Sequence, residues 1–158
     1  MIQRIQSLYL LVVAVVAAML LLADIDFYKE TGKVRQETEL ITVSVNYVQA
    51  HVNQEVIEKT SILSYLIAAI GFIALAAIFL FKNRKLQLRF ALIIMSLCVA
   101  VGIFMYRYSY GIGYTEFETK TELLMGAYFP LTLLIFAAMA YRGIQKDEKL
   151  VKSLDRIR

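Results

Sequence analysis

The chain alternates long apolar stretches with shorter charged ones, and the apolar stretches have membrane length. Ile5 to Ala23 runs nineteen residues without a charge, Thr60 to Phe81 twenty-two, Phe90 to Tyr106 seventeen and Leu123 to Tyr141 nineteen. At about 1.5 Å of rise per residue these reach roughly the 30 Å of a bilayer's hydrocarbon core, the third with help from its flanks. The pattern predicts a single integral membrane domain over 1–158, with spans at 5–23, 60–81, 90–106 and 123–141. Its outer loops are 24–59 and 107–122, its inner loop 82–89 and its inner tail 142–158. The predicted fold class is an all-α membrane protein: an antiparallel four-helix transmembrane bundle with a small, partly β extracytoplasmic element and an amphipathic C-terminal tail helix.

The first stretch competes with a signal peptide. The best cleavage position, before Asp24, offers Leu21 and Ala23 where two small residues are wanted, and the apolar run exceeds the usual h-region of about 7 to 15 residues. An uncleaved helix is the preferred reading. Pro130 lies in the outer third of the fourth stretch, where loss of a backbone donor predicts a kink.

Within 24–59, Ile41, Val43, Val45 and Tyr47 alternate with Thr42, Ser44 and Asn46, a period of two that predicts strands. Ile25 to Lys29 and Lys33 to Glu37 flank Glu30-Thr31-Gly32, which reads as a turn, so the β element is expected mainly over Ile25 to Tyr47. From Ala50 to Lys59 the alternation stops. Val52 and Val56, one helical turn apart, predict an upward continuation of the second membrane helix. Tyr106, Tyr108, Tyr110 and Tyr114 read as an interfacial aromatic belt, with an external binding surface as the alternative. In the tail, Ile144, Leu150, Val151, Leu154 and Ile157 form an apolar stripe at helical spacing, expected to bend along the membrane surface.

Charge adds an orientation. The N-terminus, the 82–89 loop and the tail carry +1, +4 and +3, while the two other loops sum to −4. Basic residues mark the cytoplasmic side, so both termini are predicted inside. A composition that is 59% hydrophobic, with a mean hydropathy of +0.63, lies beyond that of ordinary soluble domains. The net +4 is absorbed by this asymmetry, and no nucleic-acid partner is expected.

Candidate chemistry is sparse. One His and one Cys are too few for a zinc site of the usual type, and a lone Cys98 excludes an intrachain disulfide or a dithiol redox pair. No cofactor, metal site or catalytic residue is assigned. No ionisable residue interrupts the four stretches, which argues against a proton-coupled transporter, because a charge at mid-bilayer costs about 2.5–3.5 kcal/mol and is kept for function. Ser64, Ser96 and Thr132 are the candidates to line an oligomeric pore. Small pairs four apart, Ser96 with Ala100, Cys98 with Gly102 and Ala14 with Ala18, favour close helix packing instead. His51 reads as solvated surface, and Gly111-Ile112-Gly113 is too short for a dinucleotide fingerprint. Asp24 and Asp26 are the one carboxylate pair a lipid-modifying enzyme would use, and default to a solvated membrane edge. The basic positions Arg4, Lys82, Arg84, Lys85, Arg89, Arg156 and Arg158, with Asp155, form a candidate surface for docking or for contact with membrane lipid.

The opening Met1-Ile2-Gln3-Arg4-Ile5-Gln6-Ser7-Leu8-Tyr9-Leu10, the central Phe79-Leu80-Phe81-Lys82-Asn83-Arg84-Lys85-Leu86-Gln87 and the closing Asp147-Glu148-Lys149-Leu150-Val151-Lys152-Ser153-Leu154-Asp155-Arg156-Ile157-Arg158 resemble a family of small four-span membrane proteins of unknown function found in Bacteroidota. The resemblance implies an inner-membrane location and four helices, and no activity. Since all three segments fall on one predicted side, Asp155 is expected to pair with Arg4 or Arg84 and clasp the tail beneath the bundle. The functional expectation is a non-enzymatic accessory or scaffolding subunit of an envelope complex, with a protein partner or a homo-oligomer. The alternative is an oligomeric channel or transporter for a small neutral or amphiphilic solute.

Overall fold

A computed structural model describes residues 3–23, 25–34, 37–50, 55–59, 61–80, 83–110 and 120–155. Four helices, α1 (Gln3–Leu22), α2 (Ser61–Phe79), α3 (Arg84–Tyr110) and α4 (Phe129–Asp155), pack in a ring: α1 on α2, α2 on α3, α3 on α4, and α4 back on α1. The residues that turn inward recur at alternating steps of four and three. They are Gln6, Leu10, Val13, Ala17 and Leu20 on α1, and Leu63, Ile67, Ile70, Ala74 and Ala77 on α2, all buried. On α3 they are Gln87, Ala91, Ile94, Cys98, Val101 and Met105, and on α4 Leu133, Ala137, Ala140, Ile144 and Asp147. This is the seam of left-handed helix bundles, in which a heptad pattern keeps one narrow face toward the axis. The many alanines on it let the backbones approach closely.

The outward faces are apolar as well. Leu11, Val15 and Met19 on α1, Phe72 and Leu75 on α2, Val99 and Ile103 on α3, and Leu131 and Ile135 on α4 are all exposed. Helices apolar all round need an apolar medium outside the bundle. Within α2, α3 and α4, the segments Ile62–Phe79, Arg84–Ser109 and Met125–Val151 are long and apolar enough to cross a bilayer, while the apolar part of α1, Gln6–Leu22, is shorter. The chain is a membrane protein.

Three helix boundaries depart from the expected spans. Most of the 82–89 loop is helical: the connection shrinks to Leu80–Asn83, and α3 begins where the Asn83 carbonyl accepts the Gln87 amide at 3.0 Å. Gln87 belongs to the buried seam, so the same packing that orders Ala91 and Ile94 extends the helix outward through it. The tail, likewise, is the last turns of α4, which runs unbroken from Phe129 to Asp155. Of the expected tail stripe, Ile144 is bundle core, while Leu150 and Val151 are exposed. At 27 residues each, α3 and α4 are about 40 Å long, longer than a hydrocarbon core of about 30 Å. Pro130 does not kink a span. It is the second residue of α4, after a 3-10 turn at Met125–Tyr128, where its missing N–H is one that a helix start leaves unbonded anyway.

The outer element is a five-stranded antiparallel sheet in the order β4-β3-β2-β1-β5, from β1 (Asp26–Val34), β2 (Glu37–Ser44), β3 (Tyr47–Ala50), β4 (Glu55–Lys59) and β5 (Lys120–Leu123). It is larger than the Ile25 to Tyr47 element expected. Glu30-Thr31-Gly32 is strand and not turn, because Glu30 pairs with both Ile41 and Thr121, so the ladder holds it from two sides. Residues 55–59 form a strand on β3 instead of prolonging α2. The break in the alternating stretch falls at Val45–Asn46, between β2 and β3. β5 comes from the second outer loop and pairs along Tyr28–Thr31, tying the two outer loops together.

Candidate functional site

At the end that carries the sheet, the bend between β2 and β3 plugs the bundle. Val43, Ser44 and Val45 are buried, and Asn46 donates through Nδ2 to the Leu21 carbonyl at 3.3 Å, meeting one of the carbonyls that the end of α1 leaves without an intrahelical donor. The Ser64 hydroxyl, in the first turn of α2, lies 3.1 Å from the Val45 carbonyl and 2.9 Å from Asn46 Oδ1, two acceptors sharing its one proton. The sheet is therefore fastened to both α1 and α2. On its other side the 3-10 turn crosses β1 so closely that a Cβ on Gly126 would fall against the Asp26 carbonyl, which only glycine allows.

At the opposite, basic end three helices meet through polar side chains. Gln6 donates through Nε2 to Asp147 Oδ2 at 2.6 Å, and both residues are buried. Arg84 donates through Nη1 to the Asp147 backbone carbonyl at 3.0 Å, and Gln87 donates to the Ala77 carbonyl at 3.2 Å. Gly143 makes room: a Cβ there would lie 2.9 Å from Gln6 Cγ. A buried carboxylate is costly unless it is bonded, and a charge-assisted bond contributes about 1.5–3 kcal/mol. The cluster ties α1, α3 and α4 together at the basic end, with Gln87 joining α3 to α2.

A cavity of about 520 Å³ opens between the C-terminal half of α3 and the start of α4, under β1. Phe27, Cys98, Gly102, Met105, Ala127 and Leu134 line it, with Val99, Tyr106, Tyr128 and Leu131 exposed at its edge. Its wall is apolar apart from Ser109, whose hydroxyl donates to the Met105 carbonyl at 2.9 Å, and the two tyrosines at its edge.

The sequence-derived candidates disperse around these features. Arg84 is brought into the inner cluster; Lys85 and Arg89 are exposed on the first turns of α3. The side chains of Arg4 and Asp155, and all of Lys82, Arg156 and Arg158, lie outside the described residues, as do Asp24, His51 and the 111–113 stretch. A contact between the two ends of the chain runs through Asp147, while the expected pairing of Asp155 with Arg4 or Arg84 falls on side chains outside the described residues. Ser64, Ser96 and Thr132 do not converge. Ser64 serves the outer bend, while Ser96 and Thr132 donate to the Leu92 and Tyr128 carbonyls of their own helices at 3.1 Å. Of the small pairs, Ser96 and Ala18 face out of the bundle, and Gly102 borders the cavity with nothing within 4 Å of an added Cβ. Of the expected belt, Tyr106 is exposed and Tyr108 half-buried, while the side chain of Tyr110 and all of Tyr114 lie outside the described residues; Tyr65 and Tyr128, not in that expectation, are exposed at the same end of the bundle. Among the described residues no group of three or more His, Cys, Asp or Glu side chains gathers as a metal site would need.

Gln6, Gln87 and Asp147 lie inside the three segments that carry the family resemblance, but the sequence assigned them no role. The signal was present: each continues its helix's alternating steps of four and three by one position beyond the apolar run. Asn46 and Gly126 carried no comparable mark, since their roles depend on which distant backbone reaches them.

No curated protein matches the chain. A family model described as a domain of unknown function (DUF4293) matches residues 2–157, nearly its whole length. With the apolar helices and the single bundle on the page, this agrees with the resemblance drawn from the chain's two ends and its central connection: the chain belongs to the DUF4293 family.

Proposed function

We propose that the chain is a four-span protein of the bacterial inner membrane with both termini cytoplasmic, and that it acts as a non-enzymatic accessory or scaffolding subunit of an envelope complex. The observation that carries this reading is how its interior polar groups are used. Gln6, Gln87 and Asp147 fasten the helices at one end, and Asn46 and Ser64 fasten the sheet at the other, while the seam between them is apolar. Such a molecule presents two braced end surfaces. α1 supports a fourth span: its 20 residues measure about 30 Å, and its outward Leu8, Leu11, Val15, Met19 and Leu22 need hydrocarbon around them. The basic first turns of α3 oppose the helix dipole, which is reasonable where anionic headgroups offset the cost.

The test is quantitative mass spectrometry of the C-terminally tagged protein extracted gently from its own membranes. A reproducible partner near one-to-one supports the subunit reading; a homo-oligomer without a partner overturns it. The second outcome would favour a channel or transporter for a small neutral or amphiphilic solute, and the apolar cavity beside Gly102 is the feature that speaks for that alternative.

A further inference from the structure

We propose that the cavity between α3 and α4 is a binding site for one acyl chain of a membrane phospholipid. Its volume of about 520 Å³ falls within the range of roughly 300–1,000 Å³ typical of ligand pockets. The wall offers water almost nothing. The Ser109 hydroxyl already donates to the Met105 carbonyl, and inward of the edge tyrosines the lining of Phe27, Cys98, Met105, Ala127 and Leu134 is apolar, so the space suits hydrocarbon better than water.

Three further observations select the bilayer as the source. The cavity lies along Cys98 to Ser109, within a segment long and apolar enough to cross the membrane. Its edge is formed by the exposed Val99, Tyr106, Tyr128 and Leu131, so it opens sideways onto the surface that lipid covers. Gly102 is the third. A glycine inside a helix costs about 1 kcal/mol relative to alanine, and where two helices touch, that cost is offset by their close approach. Here an added Cβ would meet nothing within 4 Å, so the glycine serves the open space. A void left empty forfeits the dispersion contacts of its lining; a flexible methylene chain restores them. Tyr106 and Tyr128, exposed at the cavity's edge, are of the residue type that settles at headgroup level, so the head of a lipid whose chain enters here lies at that mouth.

The site is independent of whether the chain is a scaffold or a transporter. It is tested on the full chain in nanodiscs of phosphatidylethanolamine and phosphatidylglycerol, doped with phosphatidylglycerol carrying a diazirine in its acyl chain, with adducts mapped by mass spectrometry after illumination. Labelling of Met105 and Leu134 is expected severalfold above that of Phe72 and Leu75, which meet bulk lipid on α2. Equal labelling of the two faces overturns the proposal, and this comparison needs no variant. Gly102→Leu, which fills the cavity from its floor, should remove the excess and leave α2 unchanged; an excess that persists in the folded variant overturns the site. A diazirine fatty acid of the same chain length should label more weakly than the phospholipid. Stronger labelling by the acid overturns the phospholipid assignment.

Discussion

Gln6 and Asp147, 141 positions apart, meet at 2.6 Å in the buried inner end of the bundle. The bond joins the first turn or two of α1 to the last third of α4. It closes the ring at the point where the connecting chain is longest.

Replacing Gln6 by Leu leaves the Asp147 carboxylate buried without its donor, and should cost about 1.5–3 kcal/mol, read as a lower melting temperature in detergent. Asp147→Leu in the same background should recover most of that loss, because two apolar side chains need no partner. A double variant as unstable as the single one would show that the pair is not coupled.

Gly126→Ala should be among the most damaging small substitutions in the chain. The new methyl meets the backbone carbonyl of Asp26, which has no rotamer with which to yield. Overpacking of this kind costs about 1–3 kcal/mol. Gly143→Ala meets the flexible Gln6 side chain instead and should cost less. Melting temperatures of the two variants, measured side by side, check the order.

Asn46→Ala removes the donor to Leu21 and one of the acceptors near Ser64. A global loss of about 1 kcal/mol is expected, with the larger change local. Hydrogen exchange should rise at residues 43–47 and in the first turn of α2, and stay unchanged around Asp147.

Single cysteines in a Cys98→Ala background report the topology. With a membrane-impermeant thiol reagent on intact spheroplasts, Glu122→Cys in β5 should be labelled, while Lys85→Cys in α3 and Lys149→Cys in α4 should react only after the membrane is opened. Labelling of Lys149→Cys in intact cells would refute the four-span orientation.

The shape of the chain in the membrane was legible in its residues because span length and charge bias are one-dimensional quantities. An apolar run of about 20 residues is favourable in hydrocarbon whatever it packs against, and a basic loop stays on its side by its own transfer cost. The β content of the first outer loop was legible for a similar reason, in the alternation from Ile41 to Tyr47. Its extent was not: Glu30-Thr31-Gly32 has the composition of a turn, and only the pairing of Glu30 with Ile41 and Thr121 makes it strand. The short fragment Lys120–Leu123 becomes β5 because β1 presents it an edge.

Thus the sequence by itself determined the apolar helices, the segments in which positive charge gathers and the presence of strands in the first long polar loop, since each follows from the transfer energy or backbone preference of neighbouring residues. The tertiary structure alone decided that Asp147 meets Gln6, that one sheet draws strands from both long polar loops, and that a cavity opens beside Gly102. Those depend on which distant surfaces come into register, and a partner more than a hundred residues away leaves no local trace in the residue that waits for it.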